Sequence, residues 1–495
     1  MKKNLIKVIA WVILIITNIV FCVFYFLKKY LGMINFYQVI YHLFNKATGG
    51  GTLRVVLDGI KACYVVFIIV LFFEIILFVN FKKYKISLTS KKTKKEYILF
   101  PTIFSRHKII SSLILFVCSL AIILHAVDFE GYIRNLASHT NYYEEHYVDT
   151  NSDIISFNGK KRNLIILYLE SIESSLFSKE NNGAFDVSVI PELEQLAKDN
   201  YNFSHTNGLG GTYTIPSTSY TMASLVASTS GTPILTSIGN DYSKYDSILT
   251  KVNNLGDVLK KENYNLEFMQ GSDITFAGGD KYFKGHGNYK IFDYNTAIKK
   301  GYIDKNYFVW WGFEDAKLFD YAKKEITNLS KKDKPFAFSF ITMDTHFTDG
   351  YMDDTCEKPF KDKMSNAFAC SSKKVDEFIS WAKEQDFYDD TAIVIVGDHL
   401  TMQSTYFKNT DYQRTVYNVF INSKKDNVNT NNRIVTSFDL YPTILSAIGA
   451  DIEGDRLGFG TNLFSNKQTL AEEFGLDELS NEILKNSDYY DDKIY

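Results

Sequence analysis

Three apolar runs, residues 5–27, 62–81 and 109–127, constrain this chain more than any other feature. Each is close to the ~20 residues a helix needs to cross the hydrocarbon of a bilayer, so each is expected to be a transmembrane helix. The first continues into Lys28-Lys29-Tyr30 with no small-residue cleavage pattern, so it reads as an anchor and not as a signal peptide. Charge divides the chain at the same place. Residues 1–130 carry 17 Lys and Arg against 5 Asp and Glu, and residues 131–495 carry 37 against 52. The overall net charge of −3 therefore hides a basic part and an acidic part that live in different surroundings.

Loop charges give the orientation. Residues 81–108 carry nine Lys and Arg and one acid, the loop 28–54 carries four, and Lys2, Lys3 and Lys7 crowd the start. Basic loops stay on the cytoplasmic side. Three spans then put everything after residue 127 outside the cytoplasm, which predicts a multi-pass protein of the cell membrane. Glu74 falls inside the second run, and an intramembrane carboxylate is a candidate functional group. Cys22, Cys63 and Cys118 fall in or beside the runs, where thiols pack as small apolar groups. Cys356 and Cys370 are the only cysteines of the exterior part, and a lone pair in an oxidising compartment is expected to be bridged.

Residues 128–160 are polar, aromatic and aperiodic, which reads as a linker to a domain spanning 161–495. In that domain short β-branched and aromatic runs at 163–169, 265–269, 335–342, 391–396 and 416–421 alternate with helical periodicity at 191–198, 255–262, 314–329, 373–384 and 440–448. Such alternation predicts an α/β domain with a mostly parallel, buried sheet. Ligands of such sheets sit outside the carboxyl ends of the strands. Three strand ends carry reactive groups: NLIILYL runs into Glu170, PFAFSFIT into Met343-Asp344-Thr345-His346, and TAIVIV into Gly397-Asp398-His399. Glu170, Asp398 and His399 form an oxygen-rich set suited to manganese first, with magnesium or zinc as alternatives. Taken singly, an Asp-His pair is an ordinary loop feature and a Glu caps a helix; their conjunction points to a metal. Residues 211–233 form a glycine- and hydroxyl-rich turn leading into a helix, where free N–H groups and the dipole suit a phosphate. A metal-bound hydroxyl there would be an activated nucleophile.

These residues carry a family resemblance. Glu170, Thr221 with Gly231 ten residues on, and strand-Gly397-Asp398-His399 look like the alkaline phosphatase and sulfatase superfamily. More narrowly, the chain resembles its membrane-anchored phosphoglycerol transferases, which include lipoteichoic acid synthases and periplasmic glucan phosphoglycerol transferases. The segments around Met269, Phe276 to Asp280, Gly285-His286-Gly287, Met343 to Gly350, Cys356 and Cys370, Gly397 to Met402, Phe438 to Thr443 and Arg456 to Gly460 favour the glucan-type branch. The resemblance implies that Glu170, Thr221, Asp398 and His399 hold the metal, with Thr221 as nucleophile. It makes His346 the histidine that contacts the head group or moves a proton, and gives His286 part of the substrate grip. Thr214, in Thr-Ile-Pro-Ser, mimics a sulfatase nucleophile at the wrong spacing.

Departures narrow this further. No Cys-x-Pro-x-Arg is present, so the sulfatase nucleophile is missing, and Ala277 and Gly279 stand where lipoteichoic acid synthases grip glycerol phosphate with Trp and Arg. Single glycerol phosphate transfer is then expected in preference to polymerisation. The implied donor is phosphatidylglycerol, which releases diacylglycerol, and the acceptor is an envelope glycan or teichoic acid. A phosphoethanolamine transferase or a phosphodiesterase on the same fold is the alternative, and a non-catalytic membrane-anchored binding protein is the rival from another class. The acidic exterior argues against a nucleic-acid partner.

Overall fold

The structure, a computed structural model, describes residues 2–30, 35–44, 51–78, 87–89, 93, 96–98, 107–150, 153–235, 242–403, 406–407, 412–423 and 425–495. Most of the basic loop 81–108 and the last residues of the second apolar run lie outside them. The chain divides into two units, Met1–Ile34 with Leu53–Gly131, and Asn35–Thr52 with Tyr132–Tyr495.

The first unit is mainly helical, with a short antiparallel pair, Ser87–Thr89 and Glu96–Ile98. Helices α1 (Lys2–Tyr30), α3 (Gly51–Phe78) and α4 (Lys108–Ala126) carry the three apolar runs, and α2 (Phe36–Phe44), between α1 and α3, belongs to the other unit. Among the described residues, the stretches Asn4–Phe26 and Lys108–Ala126 are long and apolar enough to cross a membrane. Asn18 donates to the Phe67 carbonyl at 3.1 Å, joining α1 to α3, and Glu74 is buried on α3.

The second unit is built on a six-stranded sheet. Its strands are β1 (Asn163–Leu169), β2 (Asn265–Gln270), β3 (Lys290–Phe292), β4 (Phe336–Ile341), β5 (Thr391–Gly397) and β6 (Asn418–Ile421), in the order β3-β2-β4-β1-β5-β6. All neighbours are parallel except β5 and β6. The central strands are mostly apolar on both faces because both faces are covered. Leu164, Ile166 and Tyr168 enter one core and Ile165, Leu167 and Leu169 the other. The covering helices include α5 (Pro191–Asp199), α6 (Thr221–Ser230), α7 (Asp315–Ser330), α8 (Lys363–Lys383) and α9 (Ser437–Ala447). Gly397 ends β5 where a Cβ would lie 2.0 Å from the Ile172 carbonyl oxygen, so no other residue lets the chain pass there.

The sequence-based reading departs furthest from the structure in three places. The helix expected at 373–384 begins ten residues earlier as α8, where the Asp362 carboxylate accepts from the Ser365 N–H at 2.9 Å and caps it. Edge strand β3 is too short to show alternation. The expected linker 128–160 is not a linker: it holds helices Phe129–Ala137 and Tyr142–His146 and the strand Ile155–Ser156, and from Tyr132 on it belongs to the second unit. Tyr143 is the physical reason. Its ring is fully buried edge-on to Phe459 and Tyr490, at 4.9 and 5.5 Å, and its hydroxyl donates to the Ile483 carbonyl at 2.8 Å. Aromatic residues without a period conceal such packing, because their partners lie more than 300 residues away.

Candidate metal centre

Parallel pairing of β1 with β4 and β5 brings three carboxyl ends to one edge. Glu170, Asp398 and His399 meet there, each fully buried, with one ligand atom apiece within 4.8 Å of the others. His399 Nε2 lies 3.4 Å from Asp398 Oδ2 and 3.6 Å from Glu170 Oε1. Ser171, in a left-handed conformation (φ 57°), ties the carboxylates together. Its N–H donates to Asp398 Oδ1 at 2.8 Å and its hydroxyl to Glu170 Oε1 at 2.6 Å. A non-glycine residue held at positive φ beside these candidate ligands is strain that the site maintains.

Protonation chemistry shows what the cluster lacks. Burial, then the adjacent Glu170, pushes the Asp398 carboxyl up to about 7. Burial opposes charge on His399, yet Asp398 and Glu170 together hold its imidazole above the ordinary range. Asp398 Oδ2 is buried with no hydrogen-bond partner. His399 Nδ1–H donates to the Leu400 carbonyl at 2.9 Å, which turns Nε2 towards the acids, where it becomes a ligand once a cation displaces its proton. An orphaned carboxylate oxygen, a second carboxylate and an oriented imidazole fit a divalent cation.

His346 follows β4. The Thr345 hydroxyl donates to the Glu170 carbonyl at 2.5 Å and the Glu170 N–H to the Thr342 hydroxyl at 3.1 Å, so the loops after β1 and β4 are stitched together. His346 Nδ1–H donates to the Phe347 carbonyl at 2.8 Å. Burial, reinforced by His399, pushes its imidazole down to about 4, so the ring is neutral with Nε2 open. The Trp311 ring stands edge-on to it at 4.6 Å. Beneath this loop Asp315 accepts from the N–H groups of Met343 and Asp344, at 2.8 and 3.0 Å, and Asp344 accepts from the Asp315 N–H at 3.0 Å. Lys374 of α8 lies 3.6 Å from Asp344 and 2.5 Å from Asp353. Cys356 and Cys370 are disulfide-bonded, with Cα atoms 5.2 Å apart, and Cys356 Sγ is 3.8 Å from Lys374 Nζ. Trp311, Asp315 and Lys374 escaped the sequence analysis; the aromatic and acidic cluster Trp-Trp-Gly-Phe-Glu-Asp at 310–315 was the available signal.

Thr221 opens α6, half-buried, after an extended Tyr220. The first helical bond runs from the Ser224 N–H to the Tyr220 carbonyl, so the amides of Thr221, Met222 and Ala223 have no partner inside the helix. Thr214 lies seven residues earlier, outside any helix. His286 requires a correction. It is buried, its Nδ1 lies 2.5 Å from Asp257 and its Nε2 2.7 Å from the Ile248 carbonyl, so both ring nitrogens are committed inside the domain and neither can grip a substrate.

A family model described as Sulfatase matches residues 162–450. Curated relatives named phosphoglycerol transferase I, from Salmonella choleraesuis and from Escherichia coli, are 33% identical over 323 residues, 63% of this chain. The matched region spans only 40% of those relatives' length. Among solved structures, the lipoteichoic acid synthase LtaP from Listeria monocytogenes is similar with a TM-score of 0.48 and 20% identity, over 66% of this chain and 80% of that one.

Proposed function

The chain belongs to the sulfatase family, and on that premise we propose that it transfers glycerol phosphate from phosphatidylglycerol, through Thr221, to a hydroxyl of an envelope glycan or teichoic acid. The observation that carries this reading is the buried set Glu170, Asp398 and His399 with its orphaned Asp398 oxygen. Together with Thr221 these residues would hold one divalent ion, manganese by the chemistry of the donors. When bound, that ion supplies Lewis-acid polarisation of the phosphoryl oxygens and lowers the pKa of the threonine hydroxyl.

The chain's own groups do the rest. The free amides at the start of α6 and the helix dipole stabilise negative charge on the phosphoryl oxygens. Thr221 Oγ1 forms a bond to phosphorus as the bond to the diacylglycerol oxygen breaks. His346 Nε2 takes the threonine proton and passes it to the departing oxygen, so diacylglycerol leaves neutral. In the second half an acceptor hydroxyl attacks the phosphothreonine, and His346 moves its proton back to Thr221 Oγ1. The names of the relatives and the apolar helices support a donor drawn from the membrane, with the catalytic unit outside the cytoplasm and α1, α3 and α4 as the anchor.

Intact-protein mass spectrometry after incubation with phosphatidylglycerol and manganese tests this. A glycerol phosphate adduct on Thr221, with diacylglycerol released and neither seen for Thr221→Ala, is the expected result. A folded, metal-loaded chain that forms no adduct and releases no diacylglycerol overturns the reading. An adduct from phosphatidylethanolamine alone would replace glycerol phosphate by phosphoethanolamine.

A further inference from the structure

Helix α2 lies outside the matched region 162–450, yet it packs against the segment that presents Thr221. It is a nine-residue helix, FYQVIYHLF, whose Ile40 and Tyr41 are fully buried while Leu43 is 66% exposed. Its first attachment is Asn35. Asn35 Oδ1 accepts from the Gln38 N–H at 2.8 Å and so caps α2, while its side-chain NH2 donates to Ser219 Oγ at 3.2 Å and to the Pro216 carbonyl at 3.3 Å. One side chain thus joins the start of α2 to the turn that delivers the chain to Tyr220 and Thr221. Its second attachment is Tyr41. That ring lies 4.6 Å from Tyr220 and 5.8 Å from Tyr242, and its hydroxyl donates to the Ala277 carbonyl at 2.6 Å. Ala277 is itself held in a left-handed conformation (φ 58°). Tyr220 immediately precedes Thr221, and its carbonyl takes the first hydrogen bond of α6.

We propose that α2 is a positioning clamp for Thr221: Asn35 and Tyr41 fix residues 216–220 against the Ala277 turn and so set the angle at which Thr221 Oγ1 meets phosphorus. This rests on the reading of Thr221 as the nucleophile. Asn35 and Tyr41 are positioning residues that touch no substrate. The physical argument is that an in-line attack tolerates little displacement of the nucleophile, with errors of about 1 Å costing on the order of 100-fold in rate. The catalytic unit would then depend on a helix supplied from between two apolar helices and not on the family domain alone.

The test uses the full-length chain in detergent with phosphatidylglycerol and manganese, following Thr221 adduct formation, kcat and KM. Asn35→Ala and Tyr41→Ala are expected to slow adduct formation by about tenfold or more with donor KM nearly unchanged. Tyr41→Phe, which keeps the ring and loses the Ala277 bond, should recover most of the rate, and Leu43→Ala on the exposed side of α2 should behave as wild type. A purely structural role would lower the melting temperature without this split between kcat and KM. If wild type forms the adduct and Asn35→Ala, still folded, forms it at the same rate, the clamp is overturned whatever Tyr41→Ala does. If wild type forms no adduct, the reading of Thr221 fails first and takes the clamp with it.

Discussion

Two groups of buried acids lie within one loop of each other and are treated in opposite ways. Asp315, Asp344 and Asp353 are served by a cation of the protein's own, Lys374, and by backbone N–H donors to Asp315 and Asp344. Glu170 and Asp398 have no lysine or arginine within ion-pair reach among the described residues; their partner is an imidazole, and Asp398 Oδ2 accepts no hydrogen bond. Burying a charge without a partner costs several kcal/mol or forces neutralisation. The first group has its cation as folded, although Asp344 Oδ1 also accepts no hydrogen bond, and it holds the Asp344-Thr345-His346 loop. On the proposed reading, the second takes its cation from outside the chain. The contrast then separates a structural acid cluster from a binding one.

The largest expected effect comes from removing the orphaned oxygen. Asp398→Asn should cost on the order of 10³-fold or more in the rate of Thr221 adduct formation, since it withdraws charge stabilisation at the reacting phosphoryl group. In the metal-free protein the same change relieves repulsion between two buried carboxylates, so stability should hold or rise. Kinetics paired with thermal melts in the presence of a chelator check both halves. A metal-free variant much less stable than wild type would move Asp398 into the structural class.

The converse change is Lys374→Met. It strands two acids, and breaking a buried pair in this way costs about 3 to 5 kcal/mol. Denaturant unfolding of the full chain measures it. Metal affinity should be unaffected, because Lys374 contacts neither Glu170, Asp398 nor His399. A loss below about 1 kcal/mol would mean that these acids are protonated and need no lysine, which would erase the contrast.

The two clusters also differ in how far the sequence disclosed them. Glu170, Asp398 and His399 each follow a buried strand directly, so strand periodicity alone located them at one sheet edge. Asp315 and Lys374 lie at helix positions where a charge ordinarily faces solvent, and only the crossing of α7 and α8 beneath the His346 loop buries them. His286 failed for a different reason: its grip is implied by the resemblance, but Asp257, 29 residues earlier, draws the ring inward. The same limit hid Asn35 and Tyr41, whose partners at 216–220 and 277 lie some 180 and 236 residues away. Local pattern reports what a residue does within its own element; it carries nothing about a neighbour brought in by topology.

The smallest effect is the pH dependence that Asp315 gives the structural cluster. Burial pushes the Asp315 carboxyl up to about 6, against the pull of Lys374 and two backbone donors. A carboxyl whose folded pKa exceeds its unfolded value near 4 binds protons preferentially in the native state. Its contribution to stability is therefore greatest below pH 4 and declines as pH rises towards 6, by at most about 1.4 kcal/mol per pH unit. Unfolding free energies of wild type and Asp315→Asn, measured from pH 4 to pH 7, isolate this group: the difference between them should grow in favour of the variant across that window and level off above it. A difference that stays flat would mean that Lys374 holds Asp315 ionised throughout, and that the structural cluster is balanced by charge alone.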